Sequence, residues 1–204
     1  MVCVRLRAAV MTAWLRTDEK KEVFEALNFA RRLLDDVEGD PYYWKWVIIA
    51  HHNAMQATMV LAQTGSSQLR VLSERSAKEV TERQDVVRRL ADFLELYRRV
   101  KDEETMALFV DSKPLIASND LDSAVCCLHR TLRNKFEHFL PGGWSILVDE
   151  LPSVLLRCLS AISFLAFESN NIFWSENPTR QEMEAIVTDL NHKLETLQPK
   201  DASS

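Results

Sequence analysis

The sequence predicts an all-α fold, a bundle of about five to six helices in a single domain. Three observations carry that expectation. Only four of the 204 residues are glycine, too few turn-formers for the many hairpins of a sandwich or barrel. Hydrophobic residues make up 47% and charged residues 27%, the balance of a globular chain rather than a disordered one. Apolar residues also recur at three- and four-residue spacing through most of the chain. The length suits one well-packed domain, placed at 17–198, with 1–16 an N-terminal extension and 199–204 a polar tail.

Thr17 stands where it can cap the first helix, which opens on Asp18 and Glu19, carboxylates suited to the positive end of a helix dipole. Its buried face is Val23, Phe24, Leu27, Ala30, Leu33 and Leu34, and Gly39-Asp40-Pro41 ends it. A helix from about Tyr42 to Ala62 is apolar on most sides and so belongs at the centre; Gly65-Ser66-Ser67 closes it. Ser76 to about Ala107 reads as one charged helix with Val86, Leu90, Phe93, Leu94 and Tyr97 as its stripe. After a loop, Asn119 or Asp120 caps a helix ending near Phe139, because Pro141 disfavours helical geometry at Leu140. Gly142-Gly143 turns the chain sharply, and Trp144–Val148 reads as a short extended piece. A very apolar helix follows from about Pro152 to Phe167, and Pro178, Thr179 and Glu182 open the last, to about Leu197. No repeat of domain-building length is evident.

Charge and cysteine content narrow the function. A net charge of −5 with pI near 5.6 excludes a broad basic nucleic-acid surface, so any polyanion site is a local cleft. Cys3, Cys126, Cys127 and Cys158 show no CxxC spacing, so neither zinc, another metal, a cofactor nor a disulfide framework is expected, and the chain reads as cytoplasmic. The charge-free stretch from Trp46 to Leu69 carries His51, His52, Asn53, Gln56 and Gln63, too polar for a bilayer. The apolar run Ala8–Leu15 is short and lacks a cleavage site before Asp18–Lys21, so it reads as an extension rather than a secretion signal. Met11 serves equally well as a start.

No glycine-rich phosphate loop, GxSxG elbow or HExxH is present. The informative segment is Leu128 to Pro141. Val125, Leu128, Leu132, Phe136 and Phe139 share a narrow arc, the core side. Asn134 and His138 lie together on the far side with Arg130 and Glu137, while Arg133 sits roughly 140° from His138 on a regular helix. Two readings are open. In one, this is a solvated face in which Arg133 pairs with Glu137 and His138 sits near a helix C-terminus that welcomes a cation. In the other it is an RNA-cleaving site, since histidine moves a proton near neutral pH and arginine stabilises charge gathering on a phosphate.

Arg133-Asn134-Lys135-Phe136-Glu137-His138 resembles the Arg-x(4–6)-His motif of HEPN domains, in the form with a polar residue directly after the arginine. The resemblance covers about Asp18 to Leu197 as architecture and these residues as motif. It implies a helical bundle with the motif late in the fold and a homodimer whose two motifs meet in one cleft. In many members it also implies metal-independent endoribonuclease activity, serving as toxins or in antiviral defence. Under it, His138 is the proton carrier, Arg133 holds the scissile phosphate of an RNA, Asn134 orients histidine or substrate, and Lys135 adds a phosphate contact. An antitoxin or other regulatory protein is then an expected partner, and no membrane is. Other members are non-catalytic interaction modules, which is the alternative function.

The central helix offers a possible supporting cast. Lys45, His52 and Gln56 lie near one stripe with Asn53 adjacent, and buried polar groups must find partners. They satisfy one another, or face the cleft of Arg133 and His138, or line a small-ligand pocket centred on His52 and Gln56. His51 points elsewhere and reads as packing. Tyr42, Tyr43, Trp44 and Trp46 read as core or dimer interface, whereas Trp144, close to His138, is the candidate for a base or partner contact. Cys126 and Cys127 read as small buried hydrophobes.

Overall fold

The computed structural model describes residues 14–66, 68–83, 86–138, 141–175 and 177–199. The N-terminal run through Ala13, with Cys3 and Met11, lies outside the described residues, as do Ser67, Phe139, Leu140 and residues 200–204. The fold is all-α. The described residues contain no strand, and an isolated antiparallel bridge joins Leu72 to Leu90.

Helix α1 (Glu19–Leu33) is capped by Asp18 rather than Thr17. The Asp18 carboxylate accepts from the Lys21 N–H at 2.9 Å, and the Thr17 hydroxyl, one residue too early, donates to Glu22. Its apolar face, led by Val23, Leu27 and Ala30, packs along α2 (Tyr43–Gln63). As its all-round apolarity requires, α2 is central: it touches α1, the helices Phe93–Val100 and Leu151–Phe167 and the segment Cys127–Arg133, and buries Val47, Ile48, Met55 and Met59 completely.

The expected helix from Ser76 to Ala107 is instead three short ones, α3 (Glu74–Glu82), α4 (Phe93–Val100) and α5 (Glu103–Met106). Before α4, residues 89–91 run beside residues 71–73, with Ser73 N–H to Arg89 C=O at 3.0 Å and Ala91 N–H to Val71 C=O at 2.9 Å. The buried Arg99 guanidinium holds this corner, donating to the Arg70 and Leu72 carbonyls, each at 2.8 Å, and to Glu95 at 2.7 Å. No proline or glycine marks the break. Tertiary hydrogen bonds override a helix-like local pattern.

Helix α6 (Asn119–Cys126) is capped by Ser118, not by Asn119 or Asp120. It runs into a π-helical segment, Cys127–Arg133, and then α7 (Asn134–Glu137). Val125, Leu128 and Leu132 face the core as expected, while Phe136 is half-buried. The stretch after Gly143 belongs to no helix or strand, is extended at Leu147 and leads into a short 3₁₀ turn, Val148–Glu150. Helices α8 (Leu151–Phe167) and α9 (Arg180–Thr196) close the bundle, the latter opening on a reciprocal capping box between Thr179 and Glu182. Among the described residues Val148–Phe167 is long and apolar enough to cross a membrane, and half of it is buried inside the bundle.

Candidate functional site

A departure from regular helix at His138 brings Arg133 and His138 together. The segment Cys127–Arg133 is π-helical, a rare geometry that recurs at functional sites. His138 then leaves the helix at φ −123°, ψ 52°, while its N–H still bonds the Asn134 carbonyl at 2.8 Å. Its ring turns back, and Nη1 of Arg133 lies 3.3 Å from Nε2 of His138. The separation of the two residues expected on a regular helix is therefore corrected. Nη1 also donates to Oδ1 of Asn134 at 3.0 Å, and Nη2 pairs with the Glu137 carboxylate. Nε of Arg133 is buried with no hydrogen-bond partner. A guanidinium only donates, so in its contact with Arg133 Nε2 of His138 stands as the acceptor.

Behind the motif, His52 of α2 meets His129, the residue one turn before Arg133. Nε2 of His52 is 2.9 Å from Nδ1 of His129, and Phe93 stacks on both rings at 4.2 and 4.7 Å. Burial pushes the His52 imidazole down to about 3, with His129 and Arg133 adding to the effect. Burial, then Arg133 and Arg130, also lowers His129. Asn53 approaches and pulls His52 the other way, yet outside hydrogen-bonding geometry, so Nδ1 of His52 has no partner. Two neutral rings thus back the guanidinium without adding to its charge.

The rest of the central-helix stripe divides. His51 packs in the core as expected, its Nε2 3.2 Å from the Leu155 carbonyl, and burial holds it down to about 4. Asn53 is exposed. Gln56 lies apart from the motif, in a depression lined by Thr17, Asp18, Glu19 and Glu22, acidic company unsuited to a phosphate. A ligand pocket centred on His52 and Gln56 is not formed, because His52 is only 2% exposed.

On its other side the motif helix borders a groove of about 600 Å³. Lys135 and Phe136 form one wall, the Gly142–Trp144 turn a second, and the first turns of α2 the third. Gly142 has φ +139°, a conformation that other residues rarely adopt, and this turn folds Trp144 back onto Phe136, ring centroids 4.8 Å apart and edge-on. Nζ of Lys135 lies 5.6 Å from the Trp144 ring centre. Lys45 lies 4.7 Å from that of Trp46 and 3.4 Å from the Tyr42 hydroxyl. No carboxylate lines the groove, and neither lysine is ion-paired among the described residues. Trp44 is core, as expected of that cluster, but Tyr42 is 62% exposed on the groove rim. Sequence reasoning missed His129, Phe93 and the partnership of Lys45 and Tyr42 with Lys135. For His129 a signal existed: it stands four residues before Arg133 and so on the same helical side.

Among the described residues no group of three or more His, Cys, Asp or Glu side chains is placed to hold a metal. Cys126, Cys127 and Cys158 are free, and burial raises the thiols of Cys127 and Cys158 above the usual range. No protein-family model matches the chain, and no curated protein or solved structure is significantly similar to it.

Proposed function

We propose that this chain is a metal-independent endoribonuclease of HEPN type that works as a cytoplasmic homodimer, in a toxin or antiviral-defence setting under a restraining partner protein. The observation that carries the reading is the 3.3 Å approach of Arg133 Nη1 to His138 Nε2, a phosphate-binding group against a proton acceptor at an exposed helix end. Asn134 and Glu137 hold the guanidinium in place, and the basic groove beside it answers the objection from an acidic pI.

In the mechanism, a phosphodiester takes the guanidinium donors now directed at His138 and Glu137. Nε2 of His138 is released by the same exchange, and its lone pair accepts the proton of the ribose 2′-hydroxyl. The O2′–P bond forms and the P–O5′ bond breaks, giving a 2′,3′-cyclic phosphate and a 5′-hydroxyl. The leaving oxygen takes a proton from a histidine, and two motifs meeting in one dimer cleft supply one as base and one as acid. Arg133 stabilises the charge that builds on the phosphoryl oxygens.

The test is end-group analysis of RNA incubated with the protein in a chelator. The reading expects 2′,3′-cyclic phosphate ends and no cleavage where the scissile ribose is 2′-deoxy. Cleavage of the deoxy substrate, or 5′-phosphate ends, contradicts it. The ion pair between Arg133 and Glu137 favours a second reading, a non-catalytic interaction module in which that pair is purely structural. That module would leave the RNA intact and bury the same face against a partner.

A further inference from the structure

We infer that the groove between α2 and the Gly142–Trp144 turn is a nucleotide subsite, taking one unpaired base on its exposed aromatic rings and the attached phosphate on Lys45 and Lys135. It rests on the nucleic-acid reading of this face, but its argument is the groove's own chemistry. Its volume, about 600 Å³, falls in the range of small-ligand sites. Two exposed rings stand on its rim, Tyr42 at 62% and Trp144 at 40%, and a base stacks on such rings whatever its identity.

The charge is one-sided. Lys45 and Lys135 enter from opposite walls, no carboxylate lines the groove, and each ammonium rests over an aromatic ring. A cation parked on a ring is available to an anion, because only the weak cation–π attraction has to be given up. A purely apolar ligand would leave both ammoniums without compensation, and a bare phosphate would leave the rings unused. A flat ring joined to a phosphate uses both. The partner is therefore a nucleotide, either free or as a residue of a single strand. Lys135 and Phe136 lie within the Arg133–His138 motif, so the groove and the motif share one helix. Duplex RNA, with its bases paired, does not fit.

The test is calorimetric titration of the full chain with adenosine 5′-monophosphate, adenosine, inorganic phosphate and an unpaired tetraadenylate carrying non-cleavable 2′-deoxy linkages. Expected is binding of the monophosphate at least tenfold tighter than either adenosine or phosphate alone. Trp144→Ala should weaken it by fivefold or more, and Lys135→Gln should flatten its salt dependence. Unfolding midpoints matched to the native chain guard against a folding defect, and Tyr42→Ala, at a more exposed position, gives a second reading of the ring contribution. A tetranucleotide tenfold tighter than the monophosphate identifies a strand as the source; equal affinity identifies the free nucleotide. Cleavage is read separately on 2′-hydroxyl RNA with the native chain, so a chain that binds the nucleotide without cutting RNA separates failure of the ribonuclease reading from failure of the subsite. The inference is overturned if the monophosphate and the tetranucleotide bind no tighter than inorganic phosphate, or if Trp144→Ala and Tyr42→Ala leave nucleotide affinity unchanged.

Discussion

Nη1 of Arg133 stands 3.3 Å from Nε2 of His138, although a regular helix would turn these residues about 140° apart. The pairing depends on the backbone leaving the α-helix at His138 itself, one residue after Asn134–Glu137 ends. Backbone irregularity therefore has a chemical consequence here, because it puts a proton acceptor against a phosphate-binding fork.

Arg133 should not be replaceable by lysine. Its fork makes separate contacts with Asn134, His138 and Glu137, and a single ammonium cannot reproduce that planar arrangement. Arg133→Lys and Arg133→Ala are each expected to lower RNA cleavage by about 10²–10³-fold, measured as single-turnover rates. A lysine variant with native rate contradicts the role given to the fork.

Glu137 competes with substrate for the same guanidinium. Glu137→Gln should raise RNA affinity several-fold and steepen the salt dependence of binding by about 0.7 in log–log slope, one more phosphate contact. Its cost in stability should be small, about 0.5 kcal/mol, as for other helical pairs at this spacing. Filter binding across a salt series checks both; weaker binding in the variant would mean that Glu137 assists rather than competes.

The break between α3 and α4 rests on Arg99. Arg99→Leu keeps an apolar side chain in the corner but leaves the Arg70 and Leu72 carbonyls without their donor, and should cost about 1–3 kcal/mol. Urea unfolding measures it. An unchanged midpoint would show that the corner is held by other contacts.

Acid should weaken the fold before any carboxylate titrates. Burial holds His51 down to about 4 and His52 to about 3, below the ordinary 6.5 of the unfolded chain. Between those values the unfolded state binds more protons, so stability is full above pH 6.5 and falls as pH drops toward 4 and 3. Glu95, held down to about 2 by Arg98 and Arg99, adds its own loss only below about 4.5, where unfolded glutamates begin to protonate. Urea midpoints between pH 7 and 5 isolate the histidines, and a flat series there contradicts their buried neutral state.

Much of the fold was legible because burial and periodicity coincide. Val23, Leu27 and Ala30 repeat at helical spacing and are the residues α1 buries, and Thr179 with Glu182 forms the capping box that its spacing announces. The chain from Ser76 to Ala107 was not legible, because Arg99 and the extended pairing near Leu90 act across the fold and leave no proline or glycine behind. The motif could be located by residue type, but its geometry could not. A helical wheel assumes a constant turn per residue, and the exit at His138 breaks that assumption. Gln56 fell on the right stripe of the wheel yet faces acidic α1, since a long central helix meets different neighbours along its length.

The most direct test is cleavage of a mixed RNA pool in EDTA by the native protein and by His138→Ala prepared in parallel. The account predicts cutting by the native protein and a loss of about 10²–10⁴-fold in the variant, with both folded to the same extent. Equal cutting by the two, or none by a folded native dimer, contradicts the claim that His138 carries the proton for RNA cleavage.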